Sequence, residues 1–198
     1  MKHDTLRVIR NEHASLSAIL QSLLQMLRRG PEPQGRDEHE RFFDVLRASL
    51  FYIGEFPEKH HHPKESNLLF PRLARAAPQV MHTIDRLERD HMGGETRVRE
   101  LLHLLLAWEY LGEQHRPAFE SETRRYVDFY LEHMRLEESV LLPEAERCLT
   151  DDDWRVLDAA FAANRDPLNP EQPREPQFDR LFTRIVMLAP EPVGLGES

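Results

Sequence analysis

Cysteine is almost absent from this chain of 198 residues: Cys148 is the only one. A lone thiol can form no intrachain disulfide, no cysteine-based zinc site and no Cys-X-X-Cys redox pair. Long apolar runs are missing too, because Arg and Glu repeatedly interrupt the leucine-rich stretches and none approaches the roughly 20 apolar residues of a membrane span. The opening residues MKHDTLRVIR lack the apolar core of a secretory signal, so a cytoplasmic location is expected. Positive charge is in short supply. Lys and Arg number 26 against 35 Asp and Glu, and a net charge of -9 repels a phosphate backbone unless basic residues are strongly segregated. Neither nucleic acid nor a membrane is an expected partner. What remains is a globular balance, 40% hydrophobic and 31% charged, long enough for one compact core with an appendage. The one residue in excess is histidine: eleven, three of them consecutive at His60, His61 and His62.

Apolar periodicity predicts four long helices. Over residues 3 to 29, Leu6, Ile9, His13, Leu16, Leu20, Leu23 and Leu27 recur at alternating three- and four-residue steps, one core-facing stripe with His13 inside it. Gly30, Pro31, Pro33 and Gly35 end that helix. A second periodic stretch runs from about residue 36 through Leu46, Leu50 and Ile53 to Leu69 and Leu73. Pro57, Pro63 and Pro71 make it two shorter helices or one bent helix, distorted beside the histidines. Pro78 opens a third helix, where Ile84, His91, Val98 and Leu105 repeat every seven residues with Leu87, Leu101 and Trp108 between them. The fourth follows Gly112 and Pro117 and carries Tyr126, Tyr130, His133, Glu137, Val140 and Leu141 on one face to about Leu149. The economical architecture is all-α: an up-down-up-down four-helix bundle over residues 1–150. Residues 151–198 form a proline-rich extension packed on it, with six of the fourteen prolines between Pro167 and Pro192. Two short helices are expected there, one capped by Thr150 or the Asp151 to Asp153 run and carrying Trp154, Leu157 and Phe161, the other from Phe178 to Leu188. The extension covers an apolar face or joins two copies in a homodimer; the sequence does not choose.

One short internal repeat carries the chemistry. HHPKESNLLFP at 61–71 and HMRLEESVLLP at 133–143 each place His, then Glu four residues on, then Pro six beyond that. On a helix the i and i+4 side chains share a face, so His61 with Glu65, and His133 with Glu137, each present an imidazole and a carboxylate inward. In an up-down bundle His13 lies about 10 residues from the shared end, His91 about 12, and His61 and His133 about 15 or 16, a spread of roughly 9 Å at ~1.5 Å per residue. A lone histidine in an apolar stripe is ordinarily a hydrogen-bonded core residue. Four at one level with two carboxylates would need a fully satisfied polar network, since each unpaired buried group costs ~1–3 kcal/mol; a metal removes that need. The set exceeds what one tetrahedral zinc accepts and is too rich in nitrogen for calcium or magnesium. Two metal ions fit. If both glutamates bridge, about four of twelve octahedral positions stay free for a bridging oxygen and an exogenous ligand, which suits a redox-capable di-iron site.

The residues EHASL around His13, HHPKESNLLFP, RDHMGGE around His91, and HMRLEESVLLP resemble the hemerythrin-like family with its HHE cation-binding motif, over about three quarters of the chain. The resemblance implies that His13, His61, Glu65, His91, His133 and Glu137 ligate two iron ions in an oxo- or hydroxo-bridged centre, with the glutamates bridging. Oxygen-carrying hemerythrins have a second histidine four residues after the third-helix one and an aspartate as the last carboxylate; here those positions are Glu95 and Glu137. That departure argues against pure oxygen carriage and offers Glu95 as an extra ligand or a supporting group. A ferritin-like alternative, Glu58-x-x-His61 with Glu88-x-x-His91, leaves His13 and His133 buried without a role.

Of the remaining histidines, His60 and His62 point about 100° to either side of His61, so at most one joins the site and a solvated or supporting position is expected for both. Gly93 and Gly94, unfavourable inside a helix, suggest room for a small ligand or close helix approach. His3, His39, His82, His103 and His115 are expected in solvent, and Cys148 as a small apolar filler. Three functions follow: binding of dioxygen or another small diatomic or anion for storage or sensing; redox chemistry on peroxide or nitric oxide, or iron repair, though the N-terminal cysteine motif of repair relatives is absent; or a metal-stabilised interaction module.

Overall fold

A computed structural model describes residues 3–31, 36–169 and 175–195. Pro33, Gly35, Pro170 and Pro173 lie outside them. The described chain is helical, without a strand. Helix α1 spans Asp4–Arg29 and ends at Gly30, whose φ of 71° suits a residue without a Cβ. The Arg116 guanidinium fills the space that a Cβ there would take, and donates from Nη2 to the Leu27 carbonyl at 3.1 Å.

Helix α2, Arg36–Glu55, continues as one distorted rod through a π turn at Pro57–His61, α3 at His62–Lys64, a second π turn at Glu65–Leu69 and α4 at Phe70–Ala76. The helix is thus distorted beside the histidines, as the prolines predict. After a 3-10 turn at Pro78–Val80, α5 runs Met81–Leu111; a further 3-10 turn at Glu113–His115 leads to α6, Arg116–Leu136. A third π turn, Glu137–Leu141, passes into α7, Leu142–Cys148. The two repeats therefore share a backbone device. The Phe70 amide reaches back five residues to the Glu65 carbonyl, and Leu142 likewise to Glu137. Pro71 and Pro143 come next; neither has an N–H, and in a regular α-helix each ring would press on the carbonyl four residues back. Widening the turn to five residues relieves that collision, and the widened turn opens at the glutamate.

Helix α8, Asp151–Phe161, begins with a capping box: the Asp153 amide donates to Thr150 Oγ1 while the Thr150 amide donates to the Asp153 carboxylate. Trp154, Leu157 and Phe161 face inward from it against α1. A 3-10 turn at Pro176–Phe178 introduces α9, Asp179–Leu188, which packs on α2. The long helices neighbour one another in a ring: α1 on α2, α2 on α5, α5 on α6 and α6 on α1.

The buried apolar residues divide into two clusters. The division falls at the same level in every long segment. Ile9 of α1 belongs to one cluster and Leu16 to the other; the same switch occurs between Leu87 and Val98, between Phe56 and Leu69, and between Met134 and Leu141. His13, His91 and His61 lie in the first three intervals, and His133 stands directly before the fourth. The apolar stripes are continuous along the sequence, but in space a polar layer separates the two cores.

Candidate metal centre

The polar layer contains all six residues singled out by the repeat and the stripes. His13 Nε2 lies 3.2 Å from Glu137 Oε2, and His61 Nε2 lies 3.3 Å from Glu65 Oε1. Opposite them, His133 Nε2 is 3.1 Å from Glu137 Oε1 and His91 Nε2 is 3.6 Å from Glu65 Oε2, with the two Nε2 atoms 3.1 Å apart. Each glutamate turns one oxygen to the His13 and His61 pair and the other to the His91 and His133 pair. Two potential metal-holding sets result, His13, His61, Glu65, Glu137 and Glu65, His91, His133, Glu137, each with donor atoms within 4.8 Å of one another.

Every ring is also held from behind. Nδ1 of His13 meets Glu138 at 2.9 Å, Nδ1 of His61 meets Glu12 at 2.7 Å, and Nδ1 of His133 meets Asp90 at 3.4 Å. His91 donates from Nδ1 to Ser66 Oγ at 2.9 Å, and that hydroxyl donates to Glu88 at 2.9 Å. An acceptor at Nδ1 keeps the proton on that nitrogen and leaves the Nε2 lone pair facing inward, the tautomer a metal ligand needs. The supporting carboxylates follow a crossed pattern: Glu12 adjoins His13 in sequence but holds His61, Asp90 adjoins His91 but holds His133, and Glu138 adjoins Glu137 but holds His13. The stripes and the repeat do not reveal this support, although an acidic residue stands directly beside His13, His91, His133 and Glu137 in the sequence.

Among the buried atoms that lack any hydrogen-bond partner are both oxygens of Glu65, both oxygens of Glu137 and Nε2 of His61. Five orphaned donors facing one another are what paired cations would satisfy, so this residue set fits a dinuclear metal site. Proton affinities reflect the same crowding. Burial works against a charge on His13, His61 and His133, but the facing carboxylates prevail: His61 is raised well above the usual imidazole range and His133 to about 10. Burial drives His62 far down and His91 to about 2, with neighbouring imidazoles adding to the effect. Burial and the charge of Glu137 push Glu65 up, while Glu137 itself, despite its burial, is held well below the carboxylate range by His133 and His13. In the metal-free protein the carboxylates thus favour protons on the His13, His61 and His133 imidazoles, where cations would supply positive charge.

The C-terminal segment completes the site. Asn164 donates from Nδ2 to both Glu12 oxygens, at 2.7 and 3.0 Å, and accepts from Lys64. Asp166 accepts from the Tyr52 hydroxyl at 3.0 Å. These residues close a cavity of about 20 Å³ that reaches His13, His61 and His133. Asn164 and Asp166 lie in non-helical chain, where no periodicity marks them.

His62 is buried, not solvated, and sits beside His91 and His133, whereas His60 is exposed. Glu95 is exposed and takes no part in either set. The space that Gly94 leaves is filled by the Glu58 carboxylate: a Cβ there would lie 2.2 Å from Glu58 Oε2. Of the ferritin-like pairs, Glu58 bonds His62 and not His61, and Glu88 bonds Ser66. His39, His82 and His103 are exposed as expected; His3 instead stacks on Trp154 with ring centroids 4.1 Å apart, and His115 is half-buried. Cys148 packs, partly buried, against the apolar cluster that holds Trp154.

An all-helical fold with paired histidine and carboxylate clusters at its centre is that of a cation-binding helical protein. The chain belongs to the hemerythrin family: the model of the hemerythrin HHE cation binding domain matches residues 4–145. The comparisons with curated proteins and with solved structures find no match. No helix among the described residues is long and apolar enough to cross a membrane.

Proposed function

We propose that this protein is a non-haem di-iron protein that takes up dioxygen or another small diatomic or anion. One observation carries the reading: Glu65 and Glu137 each divide their two oxygens between two histidine pairs, and all four oxygens are buried without a hydrogen bond. His13, His61 and the two glutamates hold one ion, and His91, His133 and the same glutamates hold the other. The mixed nitrogen and oxygen donor set suits iron, which when bound supplies a redox-active centre with a position open to an exogenous ligand.

The chain's own residues govern what reaches that position. The cavity borders both ligand sets, through His13 and His61 on one side and His62 and His133 on the other, and about 20 Å³ has room for a water-sized molecule but none for an organic substrate. Leu16, Phe56 and Met134 give it an apolar wall, while Glu12 and Asn164 fix His61. The ring of helix neighbours supports an up-down-up-down bundle over residues 1–150. Residues 151–198 then act as an extension that closes the site through Asn164.

Metal analysis of purified variants tests the assignment. His61→Ala and His133→Ala are expected to lose most of their iron, and His39→Ala none. Equal iron content in the three proteins would refute it. Exposure of the iron-loaded protein to oxygen, peroxide and nitric oxide separates the functions: a reversible oxygen adduct supports uptake, and turnover of either other molecule assigns a redox enzyme instead.

A further inference from the structure

We infer that His62 is a fifth histidine ligand, serving the ion held by His91 and His133; this rests on the dinuclear reading above. Three observations carry it. Donor nitrogens of His62, His91 and His133 lie within 4.8 Å of one another, close to the span of ligands around a single ion. The His62 ring is 4% exposed and stacks on His91 with centroids 4.3 Å apart. Its Nδ1 meets Glu58 Oε2 at 3.2 Å, so it carries the same outer acceptor that His13, His61 and His133 carry, and its Nε2 is the nitrogen left for metal.

The support for His62 is itself built into the fold. Glu58 is seated in the space over Gly94 and accepts a hydrogen bond from the Tyr130 hydroxyl. Any side chain at position 94 would displace that carboxylate, which accounts for a glycine inside a 31-residue helix where it is otherwise unfavourable. His62 is buried although it directly follows His61, at the junction of a π turn with α3. The resulting ligand sets are unequal: the ion at His91 and His133 receives three imidazoles, and the ion at His13 and His61 receives two.

Proton NMR of the full-length protein loaded anaerobically with Co(II) tests this, because each cobalt-bound ring retains an exchangeable Nδ1 proton with a strongly shifted resonance. The expected count is five in the native protein, one each from His13, His61, His62, His91 and His133, five again in His60→Gln, and four in His62→Gln. The His62→Gln protein should also surrender one of its two ions to a chelator at least about ten times more readily. Two ions with only four such resonances in the native protein would overturn the fifth ligand and leave the dinuclear centre standing; that count decides even if His62→Gln fails to fold. Native protein that binds at most one Co(II) ion would overturn both.

Discussion

Replacing Glu65 by leucine should destabilise the metal-free protein and abolish its response to metal. Glu65 is fully buried, and its carboxylate, 3.3 Å from His61 Nε2, is the strongest influence that raises the proton affinity of His61. Removing one partner of such a buried pair strands the other charge and costs about 3–5 kcal/mol. At about 2–4 °C per kcal/mol for a chain of this size, metal-free Glu65→Leu should melt roughly 6–20 °C below the native protein in chelator. Metal should not restore it. An ion at a hundred times its dissociation constant stabilises the native protein by about 2.7 kcal/mol, whereas the variant has lost a donor from both ligand sets that contain glutamate. Circular-dichroism melts of both proteins, with chelator and with anaerobic Fe(II), give the four values required. A metal-free Glu65→Leu protein that melts above the native one would refute the reasoning, because it would show that the carboxylate has no stabilising partner in the metal-free fold.

Loading metal at pH 7 should release protons, from His133 and His61 above all, because the facing carboxylates raise their proton affinities. Calorimetry in buffers of different ionisation enthalpy measures the number, and no release would contradict the electrostatics. By the same exchange, metal should leave on acidification; unchanged occupancy well below pH 5 would be contrary evidence. Asn164→Ala frees Glu12 to move from His61 and should weaken metal affinity about ten-fold while leaving helicity unchanged, readable by chelator competition. Burial raises Asp166 from 3.8 to about 6, so the folded state binds the extra proton in that interval and metal-free stability should fall as pH rises through it. Asp166→Asn should flatten that fall in denaturant titrations at pH 4 and pH 6, and an unaltered slope would show that the group does not titrate there.

The helices were legible because their apolar positions recur with helical period and their ends carry plain signals, Gly30 and Gly112 at C-termini and Thr150 with Asp153 at an N-terminus. His13, His91 and His133 stood out as polar residues inside apolar stripes, and His61 through its place in the repeat. His62 reads as solvated or supporting because a straight helix turns it about 100° from His61. It is buried at the junction of a π turn with α3, and the prolines that signal this distortion fix no rotation. Asn164 and Asp166 were invisible for a different reason: they act from irregular chain, and their partners Glu12 and Tyr52 are more than 100 residues away. The division of the core into two clusters also lies beyond one-dimensional periodicity, since each stripe reads as continuous until the helices are laid side by side.

The most direct measurement is anomalous diffraction from crystals of the iron-loaded protein, recorded at the iron edge. Two peaks per chain, about 3–4 Å apart and both in contact with Glu65 and Glu137, are the expected result. A single peak, or none between those two carboxylates, would contradict the shared dinuclear centre.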